Sequence, residues 1–73
     1  DVIGQFVVEC CCTGSSDFTV RACDLYAALE AWCKDNGENV PGLKTLAQWL
    51  DDNDFERFRS NGSRYRGIGL LTN

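Results

Sequence analysis

The amino-terminal part of the chain repeats apolar side chains at the spacing of one helix face. Within residues 2–12 they stand at i, i+3, i+4 and i+7, which predicts an amphipathic α-helix. These positions are Ile3, Phe6, Val7 and Cys10. Asp1 precedes the run as a cap or dipole partner, and the turn-forming residues 13–17 should end the helix. The β-prone Phe18-Thr19-Val20 is then expected to form a single strand laid against a hairpin elsewhere.

The second apolar stripe is the longest. Its positions are Ala22, Leu25, Tyr26, Leu29, Trp32 and Cys33. A stripe that contains Tyr and Trp is either a ligand-binding surface or part of the core, and helical spacing favours the core. Asn36-Gly37 predicts the carboxyl end of this helix, because glycine readily takes the left-handed conformation found there.

A third helix is predicted from Leu43 to Asp52, after the turn at Pro41-Gly42. Its inward face carries Leu46, Trp49 and Leu50, and its solvent face carries Lys44, Thr45 and Gln48. Asp51, Asp52 and Asp54 crowd the carboxyl end, where the helix dipole disfavours negative charge.

The last 19 residues follow a strand pattern. Residues 55–59 and 64–71 are rich in aromatic and branched side chains, and Asn61-Gly62 lies between them. Asn-Gly between two such runs predicts a β-hairpin, since both turn positions need positive φ. The resulting order predicts one small α+β domain over residues 1–73. It is a winged helix-turn-helix with three helices, a short strand and a carboxyl-terminal hairpin as the wing, and its third helix would enter the major groove of DNA.

Charge is distributed unevenly along the chain. The net charge is −4, yet residues 55–73 carry one acidic and four basic side chains. Guanidinium groups pair with phosphates in a fork geometry, so four arginines around one turn indicate a nucleic-acid contact. The alternative is that they offset the acidic helices. The candidate contact residues are Arg57, Arg59, Ser60, Asn61, Arg64, Tyr65 and Arg66 on the wing, with Lys44, Thr45 and Gln48 on the third helix.

The cysteines predict neither a disulfide scaffold nor a metal site. There are five, three of them consecutive, with no C-x-x-C pair and no histidine. Cys10, Cys23 and Cys33 fall on apolar helix faces, which favours reduced thiols in the core and a reducing cytoplasm. No run approaches the roughly 20 apolar residues of a membrane span. No catalytic residue and no cofactor are expected, and the start at Asp1 is interpreted as that of a fragment.

Three sequence pieces together resemble a known family. They are F-x-x-x-C-C, then L-Y-x-x-x-x-x-W-C-x-x-N-G, then F-x-x-x-R-S-N-G-x-R-Y-x-G-I-x-L, within residues 6–11, 25–37 and 55–70, and a leucine-containing segment at 46–50 separates the last two. The chain is similar to the carboxyl-terminal domain of phage and plasmid primase–helicases, including those of satellite phages, and to the end of the poxvirus primase–helicase.

This resemblance implies a winged helix appended to a superfamily-three helicase, which assembles as a homo-hexamer and unwinds a replication origin. The wing residues 59–62, 64 and 65 would then contact duplex origin DNA. The chain lacks the G-x-x-x-x-G-K-[ST] phosphate loop, so it is not expected to be an enzyme by itself. Two other interpretations stay open: a winged helix that docks a helicase subunit or replication partner through its acidic helices, and a small transcriptional regulator.

Overall fold

Each of the three apolar stripes forms a helix in the computed structural model, which describes residues 1–71. The helices are α1 (Val2–Cys10), α2 (Ala22–Asp35) and α3 (Leu43–Asp52). The strands are β1 (Cys11–Thr13), β2 (Thr19–Arg21), β3 (Glu56–Arg59), β4 (Ser63–Arg66) and β5 (Ile68–Leu70). They form two antiparallel sheets, one with the order β1–β5 and the other with the order β2–β4–β3. The predicted small α+β class is therefore confirmed.

The hairpin forms where the sequence predicts it. Asn61 and Gly62 have φ values of 56° and 110°, and Arg59 pairs with Ser63 across a three-residue loop. Strand β2 pairs with β4 along its whole length, from Thr19 opposite Arg66 to Arg21 opposite Arg64. The prediction of a short strand laid against the hairpin is confirmed, with Arg21 in the strand and Phe18 outside it.

The amino-terminal helix is shorter than predicted. It ends at Cys10, and the next three residues form β1, which pairs with β5 from Cys11 opposite Leu70 to Thr13 opposite Ile68. Pairing with a strand from the far end of the chain takes residues 11 and 12 out of the predicted helix. Local periodicity does not contain such a long-range pairing.

Gly67 divides the predicted second strand of the hairpin into β4 and β5. Its φ is +90°, a conformation that residues with a Cβ rarely adopt. Its amide donates a hydrogen bond to the carbonyl of Phe18 at 2.8 Å. The chain therefore turns at this residue and leaves the three-stranded sheet for the two-stranded one.

The core consists of the apolar stripes of all three helices together with side chains from four strands. The residues with no exposed surface are Phe6, Leu25, Leu29, Cys33, Leu50 and Ile68. Cys23 departs from its predicted place on an apolar helix face because it is exposed, whereas Cys11, for which no place was predicted, is buried. Trp49 is only half-buried, where it stacks on Phe55 with ring centroids 6.1 Å apart. Among residues 1–71 no helix combines the length and apolarity that crossing a membrane requires.

Asp1 stands at the amino end of α1 as predicted, but its side chain does not cap the helix. Its carboxylate instead accepts a hydrogen bond from Trp49 Nε1 at 2.7 Å. This contact joins the start of α1 to the middle of α3.

Candidate nucleic-acid interface

Strand alternation sends the four hairpin arginines to opposite sides of the three-stranded sheet. Successive side chains of a strand point to opposite faces, and directly paired residues share a face. Arg57 pairs with the buried Tyr65, so the side chains of Arg57 and Arg59 lie on the face of the sheet that meets the core and α3. The side chains of Arg64 and Arg66 lie on the other face. We call these the inner and outer faces of the sheet.

The inner face and α3 enclose an open cleft of about 280 Å³. Lys44, Gln48 and Asp51 line it from the helix, and Phe55, Arg57 and Tyr65 line it from the hairpin side. Two cations from separate elements therefore border the same cleft, together with the carboxylate of Asp51. Arg57 and Arg59 are both exposed and form no ion pair with a carboxylate of residues 1–71.

The exposed face of α3 carries Lys44, Thr45 and Gln48, as the sequence predicts. Gln48 Nε2 donates to Asp52 Oδ1 at 3.0 Å one turn along the helix. Thr45 is absent from the lining of this cleft and instead lines a second groove, beside Asp1 and Trp49. The three residues thus share one helix surface, but Thr45 does not border the cleft.

Tyr65 does not offer the exposed aromatic face that the sequence analysis expects. Its side chain is 5% exposed and belongs to the core. The reason is its register, since Tyr65 pairs with the buried Val20 on one side and with Arg57 on the other. A base cannot stack on a ring that is covered in this way, so the role of Tyr65 is to pack the hairpin against the core.

The outer face carries a cation that the sequence analysis missed. Arg21 of β2 lies directly opposite Arg64, which places a third arginine beside Arg64 and Arg66. Arg21 Nε is 2.8 Å from Asp24 Oδ2, and Arg66 Nε is 3.7 Å from Glu56 Oε1. The alternation of the Thr-Val-Arg segment around its apolar middle residue is the signal that would have placed Arg21 on this face.

The tip of the hairpin is small and exposed to solvent. Ser60 and Asn61 are exposed, and Ser63 is half-buried. Arg64 Nε donates to the Ser60 carbonyl at 2.6 Å, which holds the guanidinium group of Arg64 against the loop. The tip therefore presents hydroxyl and amide groups between the two arginine pairs.

The cysteines add no evident chemistry to this surface. All five are free thiols, and no group of three or more potential metal ligands occurs within residues 1–71. Burial, followed by the neighbouring Cys10 and Cys12, raises the pKa of Cys11 to about 12. Burial also raises the pKa of Cys33, with Glu38 contributing in the same direction. Such thiols are poor nucleophiles, because the thiolate is the reactive form.

Comparison of the chain with protein-family models, with curated proteins and with solved structures finds no match.

Proposed function

We propose that this chain is a winged-helix DNA-binding module of a replication-initiating primase–helicase. In this proposal α3 lies in the major groove of duplex origin DNA, and the β3–β4 hairpin is the wing. Lys44, Gln48, Arg57 and Arg59 supply the contacts, with Thr45, Ser60 and Asn61 at the margins. Phosphate contacts position the protein, and Gln48 is the side chain suited to an adenine edge.

The element order supports the winged-helix part of the proposal. A helix and a short strand precede two helices, and a hairpin follows them. The short strand β2 does not extend the hairpin at its outer strand β3. It pairs antiparallel with β4 and gives the order β2–β4–β3. This arrangement holds the hairpin beside α3, so that both elements can reach one duplex.

The observation that carries the DNA-binding proposal is the shared cleft. Lys44 and Gln48 from α3 border the same cleft as Arg57 from the hairpin. A phosphate backbone that follows this cleft meets cations on both walls, and counterion release then favours binding. Asp51 lies in the cleft as well and opposes the polyanion, so removing its charge is expected to strengthen binding.

Fluorescence anisotropy of a labelled duplex, measured between about 50 and 200 mM salt, tests the proposal. If Lys44, Arg57 and Arg59 each meet a phosphate, the slope of log K against log salt is about −3. Replacing Arg57 and Arg59 by Gln should weaken binding and flatten the slope by about 2.

The matched control is the replacement of Arg64 and Arg66 by Gln, which removes the same charge from the same hairpin on its outer face. This control should keep most of the slope. Equal losses from both double variants would contradict the assignment of the duplex to the inner face. No salt-dependent binding by the unchanged protein would remove the DNA-binding proposal.

A second candidate function is docking of a protein partner through the acidic helix surface. Asp51, Asp52 and Asp54 are exposed at the end of α3, and no ion pair with a basic side chain of residues 1–71 engages them. Because these carboxylates border the proposed DNA surface, a basic partner bound to them would block the access of DNA to that surface. Reversing Asp51 and Asp52 to Lys should abolish such docking, while the Arg57 and Arg59 replacements leave it intact.

The wider setting of the module is part of the same proposal and derives from the family resemblance. The parent helicase would be a homo-hexamer, whose ring raises the effective affinity of weak individual contacts. This module would itself catalyse nothing. Its five free thiols support a reducing cytoplasm as its compartment. Analytical ultracentrifugation of the parent helicase would test the hexamer.

A further inference from the structure

We propose that the outer face of the three-stranded sheet binds single-stranded nucleic acid, separately from the duplex surface on the inner face. The residues that would do so are Arg21, Phe58, Arg64 and Arg66. Two cross-strand rows bring them together. One row runs Arg21–Arg64–Phe58 over β2, β4 and β3, and the next runs Thr19–Arg66–Glu56.

One cross-strand pair on this face works against the stability of the sheet. Arg21 and Arg64 are direct cross-strand neighbours, and like charges in such pairs are destabilising. Carboxylates partner Arg21 and Arg66, whereas Arg64 forms no ion pair within residues 1–71. The ion pairs of Arg21 and Arg66 are exposed, and such pairs are weak. Three guanidinium groups on neighbouring strands therefore still favour a polyanion as the occupant of this face.

An aromatic ring distinguishes the outer face from a simple phosphate-binding patch. Phe58 is half-buried on the solvent side of β3, and the guanidinium carbon of Arg66 lies 4.7 Å from its ring centroid. Aromatic rings and guanidinium planes both accept stacked bases. An aromatic ring with a guanidinium group over it, flanked by further arginines, combines the two features of a single-strand binding surface, an aromatic platform and positive charge.

The single strand is favoured over the duplex because only unpaired bases are free to stack on Phe58 or on Arg66. In a duplex the bases stack on one another and the sheet would meet phosphates alone. The occupant proposed is therefore an unpaired DNA or RNA segment, with its phosphates at Arg21 and Arg64 and a base at the Phe58–Arg66 pair.

Binding of a labelled deoxythymidine oligomer of about 12 nucleotides, followed by anisotropy, tests this inference. Phe58→Leu keeps apolar volume but removes the ring, and should weaken binding by about fivefold or more. Arg21→Gln with Arg64→Gln should flatten the salt slope by about 1.4, at roughly 0.7 per contact for single strands. Arg57→Gln with Arg59→Gln is the control, and should leave single-strand affinity nearly unchanged while it reduces duplex affinity.

A second measurement avoids any effect of substitution on folding. The unchanged protein should bind an abasic strand of the same length more weakly than the thymidine strand, and Phe58→Leu should no longer distinguish the two. Equal affinity of the unchanged protein for both strands would overturn the stacking proposal. So would equally tight binding of polyglutamate, which would make the face a general polyanion surface. The proposed duplex surface uses residues on the opposite face of the sheet. Failure of either proposal therefore leaves the other open to its own test.

Discussion

Gly67 is the residue whose replacement tests the architecture most directly. It carries a φ of +90° where β4 passes into β5. Replacing Gly67 by Ala forces a side chain into a conformation that raises the energy by about 1–3 kcal/mol. The new Cβ would lie 3.5 Å from Phe55 Cδ1, an ordinary van der Waals contact, so no steric clash is added.

The loss is partly offset in the unfolded chain. Ala restricts that chain more than Gly does, which stabilises the folded state by about 0.4–1 kcal/mol. The net destabilisation expected for Gly67→Ala is therefore about 1–2 kcal/mol. For a domain of this size each kcal/mol lowers the melting temperature by roughly 4–8 °C. Urea and thermal unfolding, followed by circular dichroism, measure both quantities.

Gly67→Asn separates backbone strain from crowding. Asn is larger than Ala but tolerates positive φ better. If strain dominates, the Asn variant is more stable than the Ala variant. If the Asn variant is the less stable of the two, contact with Phe55 dominates and the strain argument is wrong. An Ala variant as stable as the unchanged protein would refute the assignment of a positive-φ junction between the two sheets.

Three further predictions concern the core, the thiols and the cleft. Leu50→Ala, at a position with no exposed surface, should destabilise the protein by about 2–5 kcal/mol in urea unfolding, whereas Leu43→Ala, at a position 56% exposed, should change stability by less than about 1 kcal/mol. Iodoacetamide should alkylate the exposed Cys23 first, as peptide mass spectrometry would detect. Since burial raises the pKa of Cys11 from 9.0 to about 12, its thiolate fraction near pH 8 is about a thousandfold lower than that of an unperturbed thiol, and rapid alkylation of Cys11 in the folded protein would contradict its burial. Asp51→Asn should tighten duplex binding about two- to fivefold at low salt in the anisotropy assay, and by less at high salt because the effect is screened.

The local sequence pattern was sufficient to predict the three helices and the hairpin turn. The spacing of Leu25, Leu29 and Trp32 on one face specifies a buried helix wherever that helix packs. Asn61-Gly62 specifies a turn because its two residues tolerate positive φ with little strain. Lys44, Thr45 and Gln48 were correctly placed in solvent, since they lie opposite the apolar stripe of the same helix.

The composition of each sheet face depended on pairing between distant segments. The sequence places four arginines around one turn, but the register of β4 against β2 and β3 puts Tyr65 in the core and separates the arginines into two pairs. The same register brings Arg21 opposite Arg64, across 43 positions of the chain. No local periodicity contains that information, because a shift of one residue in the pairing would reverse every side chain.

The sequence by itself therefore determined the element types, the helix faces and the concentration of positive charge near the carboxyl end. Tertiary structure decided that residues 11–13 pair with β5, that Gly67 separates the two sheets, and that Lys44 and Asp51 of α3 line one cleft with Arg57. The physical reason is the range of the interactions. Helix faces and turns follow from neighbours within four residues, whereas strand partners and the side a strand presents are fixed only when the whole core closes.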